Sequence, residues 1–117
     1  MISGIDLKAV VDFVMPDDKD NPTVWKLGLI PSGLLAQIGA GAKDNPIEVT
    51  FKLLQIGIRG WTNFSDISFK TEKKDICGQS IDSVPIDLIN QIPLNVMMAL
   101  SEKLIEINHL TPPERKN

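Results

Sequence analysis

"DNPIEVTFKLLQIGIRGW", residues 44–61, can be read as a strand or as a helix, and the choice decides the fold. As a strand it alternates, with Ile47, Val49, Phe51 and Leu53 on one side. As a helix it carries Ile47, Phe51, Leu54 and Ile58 on one stripe, with Glu48, Lys52, Gln55 and Arg59 opposite. The start of the segment arbitrates. Residues 44–46 supply a capping side chain and a proline suited to a first helical turn, and Glu48 stands where it completes a capping box. The segment also outruns an average strand of about 5–6 residues, so the reading is helix. Gly57 and Gly60 then fall in and just past the last turn, where glycine tolerates the left-handed conformation that ends helices. Trp61 would fold back as a core plug under the helix end; its alternative role is an anchor facing a partner.

Upstream, the odd positions Ile5, Leu7, Ala9, Val11, Phe13 and Met15 are apolar with Asp6, Lys8 and Asp12 between them, the period of a strand. The loop "PDDKDNPT" (16–23) follows, and residues 24–30 alternate again with Trp25, Leu27 and Leu29 on one side, which makes an N-terminal β-hairpin. Pro31 closes the second strand, and Ser32 caps a short helix carrying Leu34, Leu35 and Ile38 that Gly39 and Gly41 terminate. Downstream, Ile67, Phe69 and Thr71 alternate, the charged residues 72–75 read as a turn, and residues 76–82 as a returning strand.

Ser83, Pro85 and Asp87 then open a brief helix through Leu88 and Ile89, and Pro93 restarts the chain as a longer helix over 94–108. In that helix Met97, Leu100, Leu104 and Ile107 form one stripe, with Ser101, Glu102, Lys103 and Glu106 outside it. The stripe is expected to pack on the domain's own sheet, the alternative being a groove on another chain. The fold class is therefore α+β: an N-terminal β-hairpin, a central helix, a short second β ribbon, and C-terminal helices packed on a small antiparallel sheet. Residues 1–110 form a single domain, and residues 111–117 an exposed C-terminal tail.

A chain of 117 residues, 43% hydrophobic and 23% charged, is large enough to bury one core of its own. Its net charge of -3, with Lys and Arg scattered, offers no footprint for nucleic acid. No window reaches the roughly 18 unbroken apolar residues of a membrane span. The N-terminus lacks the basic region of a signal peptide, because Asp6 precedes its apolar run and Lys8 interrupts it. A cytosolic, reducing setting is expected, in which the sequon at Asn63 is a chance match.

Chemistry is sparse. The single cysteine, Cys77, cannot form an internal disulfide, and the single histidine, His109, lies beside the tail, where a solvated or helix-capping role is expected. Asp17, Asp18 and Asp20 belong to a solvated loop rather than to an acid/base pair. The glycines of "IGAGA" (38–42) lack the Lys-Ser/Thr pair of a phosphate loop and follow a helix, so they read as a terminator. No catalytic, cofactor-binding or metal-ligating set is expected, and the chain is read as a non-enzyme.

Three stretches carry a resemblance: "DNPTVWKL" (20–27), "RGWTNFSD" (59–66) and "IPLNVMMALSEKLIEINHLTPPERKN" (92–117). In this order they resemble small proteins encoded among the virion and tail genes of tailed bacteriophages, some of which look like tail-assembly chaperones. The resemblance maps a Pro-Thr-Val-Trp strand start onto residues 22–25, a Gly-Trp-x-Asn turn onto residues 60–63 and a Leu/Met helix onto residues 94–107. It departs after the turn, where Asp66 is followed by Ile67 and Ser68 instead of running to a glycine. Tail chaperones are mainly helical, so the N-terminal hairpin favours a relative built into the virion. The resemblance implies binding to phage structural proteins of tail or head, in the cytoplasm of the infected host cell, in the virion, or both; self-association stays open. The expected contact residues are Asp17, Asp18, Asp20, Trp61, Phe64, Thr111, Pro112 and Arg115. A small inhibitor or adaptor acting on a host enzyme is the alternative, and an enzyme using only carboxylates a remote third.

Overall fold

Asn45 caps a helix that runs from Pro46 to Gly57. Its Oδ1 accepts from the Glu48 N–H at 3.1 Å while its Nδ2 donates to Glu48 Oε2 at 3.1 Å, and Pro46 occupies the first helical turn. The computed structural model describes residues 1, 4–40, 45–76 and 78–108. In chain order these form β1 (Val10–Phe13), β2 (Val24–Gly28), α1 (Ser32–Ala40), α2 (Pro46–Gly57), β3 (Ile58–Thr62), β4 (Glu72–Ile76), β5 (Gln79–Ser83), α3 (Ile86–Ile89) and α4 (Leu94–Ile107). The class is α+β: among the described residues, four helices accompany a three-stranded antiparallel sheet, β1-β2-β3, and a two-stranded ribbon, β4-β5.

The end of α2 differs from the expectation. Ile58, placed on the helical stripe, is extended and begins β3 with no intervening loop. Gly57 and Gly60 are therefore not left-handed terminators. Gly60 lies in β3 opposite Lys26, and Gly57 closes the helix where it meets α4. Trp61 does not fold back over a turn but stands on β3 opposite Trp25, buried on the inner face of the sheet.

Strand β1 is also shorter than the apolar alternation of residues 5–15. Asp6 stops it: its carboxylate accepts from the Lys8 N–H at 3.0 Å and its carbonyl from the Ala9 N–H at 3.2 Å, a local turn that competes with the ladder. Between β2 and β3 the register slips, pairing Lys26 with Gly60 but Leu27 with Ile58, so Arg59 is skipped. Its guanidinium donates to three carbonyls, Ile56 O at 3.1 Å, Leu7 O at 3.2 Å and Leu29 O, and so ties the N-terminal segment to the end of α2 and the exit of β2. Partial burial lowers its pKa from a very high starting value, and it stays charged. Gly28 makes room for it, since a Cβ there would lie 2.8 Å from the arginine side chain.

The second ribbon corrects the turn expected at residues 72–75. Those charged residues form β4, and the reversal comes after Ile76. A ribbon exposed on both sides has no apolar alternation to display: most of its side chains face water, and Lys73 meets Asp82 across the strands at 2.9 Å. Its anchor is Gln55 of α2, which is buried. The Gln55 carbonyl accepts from the Val84 N–H at 2.9 Å, and its Nε2 donates to Val84 O at 3.0 Å. Gln55→Leu keeps the volume but strands that carbonyl, so a loss of about 1–3 kcal/mol in urea-denaturation stability is expected. An unchanged midpoint would mean that the ribbon is not held there.

Helix α4 buries Met97, Leu100, Leu104 and also Ser101, which the stripe had placed outside. It packs mainly on α2, with a smaller contact to β2, so a helix pair rather than the sheet is its chief partner. Asn108 ends it, donating from Nδ2 to Leu104 O at 2.9 Å and accepting at Oδ1 from the Ile30 N–H at 2.8 Å. The expectations for Gly41, Cys77, His109 and the tail at 111–117 lie outside the described residues.

Candidate functional site

The two short motifs that carried the resemblance meet in space. Thr23 Oγ1 donates to Asn63 O at 2.7 Å, and Asn63 Nδ2 donates to Asn21 O, with Pro22 O at 3.4 Å, so the β1–β2 loop is laced to the turn after β3. Asn63 sits at φ 62° and Ser65 at φ 48°, the tight left-handed conformations that let the chain reverse after Trp61. The turn returns Phe64 to the sheet and brings Ile67 O within 2.9 Å of Trp61 Nε1, which satisfies the buried indole.

The result is an aromatic cluster that holds both tryptophans and two of the four phenylalanines. Trp61 stands edge-on to Trp25 at 5.7 Å, to Phe64 at 5.3 Å and to Phe69 at 4.9 Å, and Phe64 lies 4.9 Å from Trp25. Such edge-to-face pairs contribute about 0.5–1.5 kcal/mol each beyond simple burial.

One side of this cluster opens into a cavity of about 360 Å³ between the β1–β2 loop and the start of α4. Trp25 and Phe64 line it together with Met15 and Val96, Asp17 and Asp18 contribute the charge, and Pro93 and Asn95 bring the first turn of α4. Asp18 is fixed in place: its Oδ2 accepts from the Thr23 N–H at 2.9 Å, and its own N–H donates to Met15 O at 3.0 Å. Among the described residues no lysine or arginine lines the cavity.

Of the expected contact residues, the structure therefore gathers Asp17, Asp18 and Phe64 around one cavity. Trp61 is behind its wall, only 7% exposed, and Asp20 is exposed in the same loop without lining the cavity. Thr111, Pro112 and Arg115 lie outside the described residues. Chain position places Met15 and Trp25 at the two ends of the loop, but nothing in the sequence marked residues 93–96 as its neighbours. A further hint was the period of two that puts Trp25 on the apolar side of its strand.

A larger cavity, about 460 Å³, lies between α2 and β4, lined by Ile47, Phe51, Ile76 and Ile86. Its charges are mixed: Lys52 meets Glu48 at 2.9 Å and holds that carboxyl below its ordinary pKa, while Lys74 and Asp75 stand opposite. It carries no bias toward a ligand of either sign. Among the described residues no cluster of three or more His, Cys, Asp or Glu is placed to hold a metal, and no helix is long and apolar enough to cross a membrane.

Beside the first cavity runs the open edge of the sheet. Among the described residues strand β1 pairs with β2 on one side only, and its surroundings are apolar: Val10 is 48%, Val11 39% and Val14 38% exposed. Natural edges are usually blunted by charge or proline, whereas here the only charge in the strand, Asp12, is turned to Lys26 of β2 at 3.1 Å. Compared with protein-family models, curated proteins and solved structures, the chain matches none.

Proposed function

We propose that the protein is a non-enzymatic bacteriophage morphogenesis protein that binds phage structural proteins, as a tail-assembly chaperone or a minor virion component. The observation that carries the binding half of this reading is the valine-rich outer edge of β1, a strand that among the described residues pairs only with β2, with Val10, Val11 and Val14 partly in solvent beside an open cavity. A strand with free backbone groups and apolar side chains is a template for strand addition by a second chain. The phage half rests on the resemblance of residues 20–27, 59–66 and 92–117. The first two of these segments are laced together at Thr23 and Asn63.

Co-purification with the tail and head proteins of the phage that encodes the chain tests the reading. The variant Val10→Lys/Val14→Lys changes two exposed side chains and is expected to keep the circular dichroism of the wild type. It should lose at least about tenfold in partner recovery, equivalent to about 1.4 kcal/mol. Equal recovery of variant and wild type would remove the strand edge from the interface. Stoichiometric capture of a host enzyme instead of a structural protein would favour the inhibitor reading.

A further inference from the structure

We propose that the cavity between the β1–β2 loop and α4 receives a lysine or arginine side chain from an extended segment of the bound partner. The inference rests on the protein-binding reading above and names what that partner presents.

Charge sets the sign of the occupant. Four surface carboxylates are neutralised by lysines: Asp12 by Lys26, Glu48 by Lys52, Asp82 by Lys73 and Glu106 by Lys103. Among the described residues Asp17 and Asp18 have no such partner, and no basic residue lines the cavity they rim. Two carboxylates alone would not define a site. Here they share the lining with two aromatic side chains, Trp25 and Phe64, of the kind that attracts a cation, while Met15 and Val96 offer apolar surface to the methylene stem of the same side chain. The combination fits a long side chain with an apolar stem and a cationic head better than it fits a compact, strongly hydrated metal ion.

Geometry argues for a segment rather than a free cation. By the β1–β2 register, Val11 and Phe13 lie on the same face as Leu27 and Trp25, and Met15 continues that alternation to the cavity wall. A strand added along β1 sends every second side chain to this face, so one near Phe13 is directed at the cavity. Helix α4 begins at the same wall behind Pro93 with no side-chain cap, which leaves first-turn N–H groups for a partner's backbone carbonyl.

The test uses three blocked hexapeptides, Thr-Val-Arg-Val-Thr-Ser and its counterparts with norleucine or glutamate at the third position, titrated into the full chain while tryptophan emission is followed. Trp25 lines the cavity and Trp61 backs it, so occupancy should perturb emission. The arginine peptide is expected to bind saturably, at least about fivefold more tightly than the norleucine peptide, with affinity falling as salt rises. The glutamate peptide should not bind. Asp17→Asn, at an exposed position, should leave the melting temperature unchanged and erase the preference for arginine.

Equal binding of all three peptides, or an arginine preference that survives Asp17→Asn together with Asp18→Asn, would overturn the proposal. Asp18→Asn retains an oxygen for the Thr23 N–H, so the loop keeps its turn. The two readings fail separately. Co-purification with phage proteins but no arginine preference sinks only the cavity assignment, whereas an arginine preference without phage partners sinks only the assembly role.

Discussion

Trp61→Ala should cost about 3–5 kcal/mol of folding stability, a large share of what a domain of this size has. The side chain is 7% exposed and stands edge-on to Trp25, Phe64 and Phe69, so its removal leaves three rings without their common neighbour. It also removes the donor to Ile67 O, the bond that closes the turn after β3. That turn bears Asn63 and Phe64, so the loss should spread to the lacing at Thr23 and to the lining of the cavity. Trp61→Phe separates the contributions, because it keeps an aromatic ring and loses only the indole N–H and some volume; it should cost roughly 1–3 kcal/mol. Urea denaturation followed by circular dichroism measures both. If Trp61→Ala kept the wild-type midpoint while partner recovery vanished, the residue would belong to an interface rather than to the core.

How far the sequence led depends on which physical signal each segment carries. The start of α2 was legible because Asn45, Pro46 and Glu48 specify a cap locally, without help from the rest of the chain. The hairpin was legible from its period of two, although Asp6 shortened the first strand by forming a turn of its own. Strand β4 was not legible. A strand wet on both faces shows no alternation, and Glu72, Lys73, Lys74 and Asp75 look like a turn in any single-sequence reading. The bulge at Arg59 was hidden for a related reason, since it depends on register against β2. The cavity depends on three segments far apart in the chain: the loop at 15–23, the turn at Phe64 and the start of α4 at 93–96. Asp17, Asp18 and Phe64 could be named singly, but their meeting is a product of sheet register and of the packing of α4 against α2 and β2.

That packing turns on Gly57. A Cβ at this position would lie 2.4 Å from Leu104 Cδ2, 2.8 Å from Cδ1 and 3.1 Å from Cγ. Leu104 is fully buried, so a rotamer change would drive its methyls into packed neighbours, and the side chain, the helix that carries it or both must shift. Gly57→Ala should therefore lose about 1–3 kcal/mol by overpacking. A better helix propensity offsets at most about 1 kcal/mol of this, and less at a last helical residue. Leu104→Ala alone should lose about 2–5 kcal/mol by leaving a cavity. The double variant is the decisive measurement: the new methyl at 57 occupies part of the space vacated at 104, so its loss should fall short of the sum of the single losses by about 1 kcal/mol or more. Strict additivity would mean that α2 and α4 are not in close contact at this point. The consequence reaches the candidate site, because α4 begins at the cavity wall and any outward shift of the helix moves Pro93, Asn95 and Val96 away from Trp25 and Phe64. Gly57→Ala is accordingly expected to weaken arginine-peptide binding while Asp17 and Asp18 remain untouched, and the double variant, in which that crowding is relieved, to recover part of it.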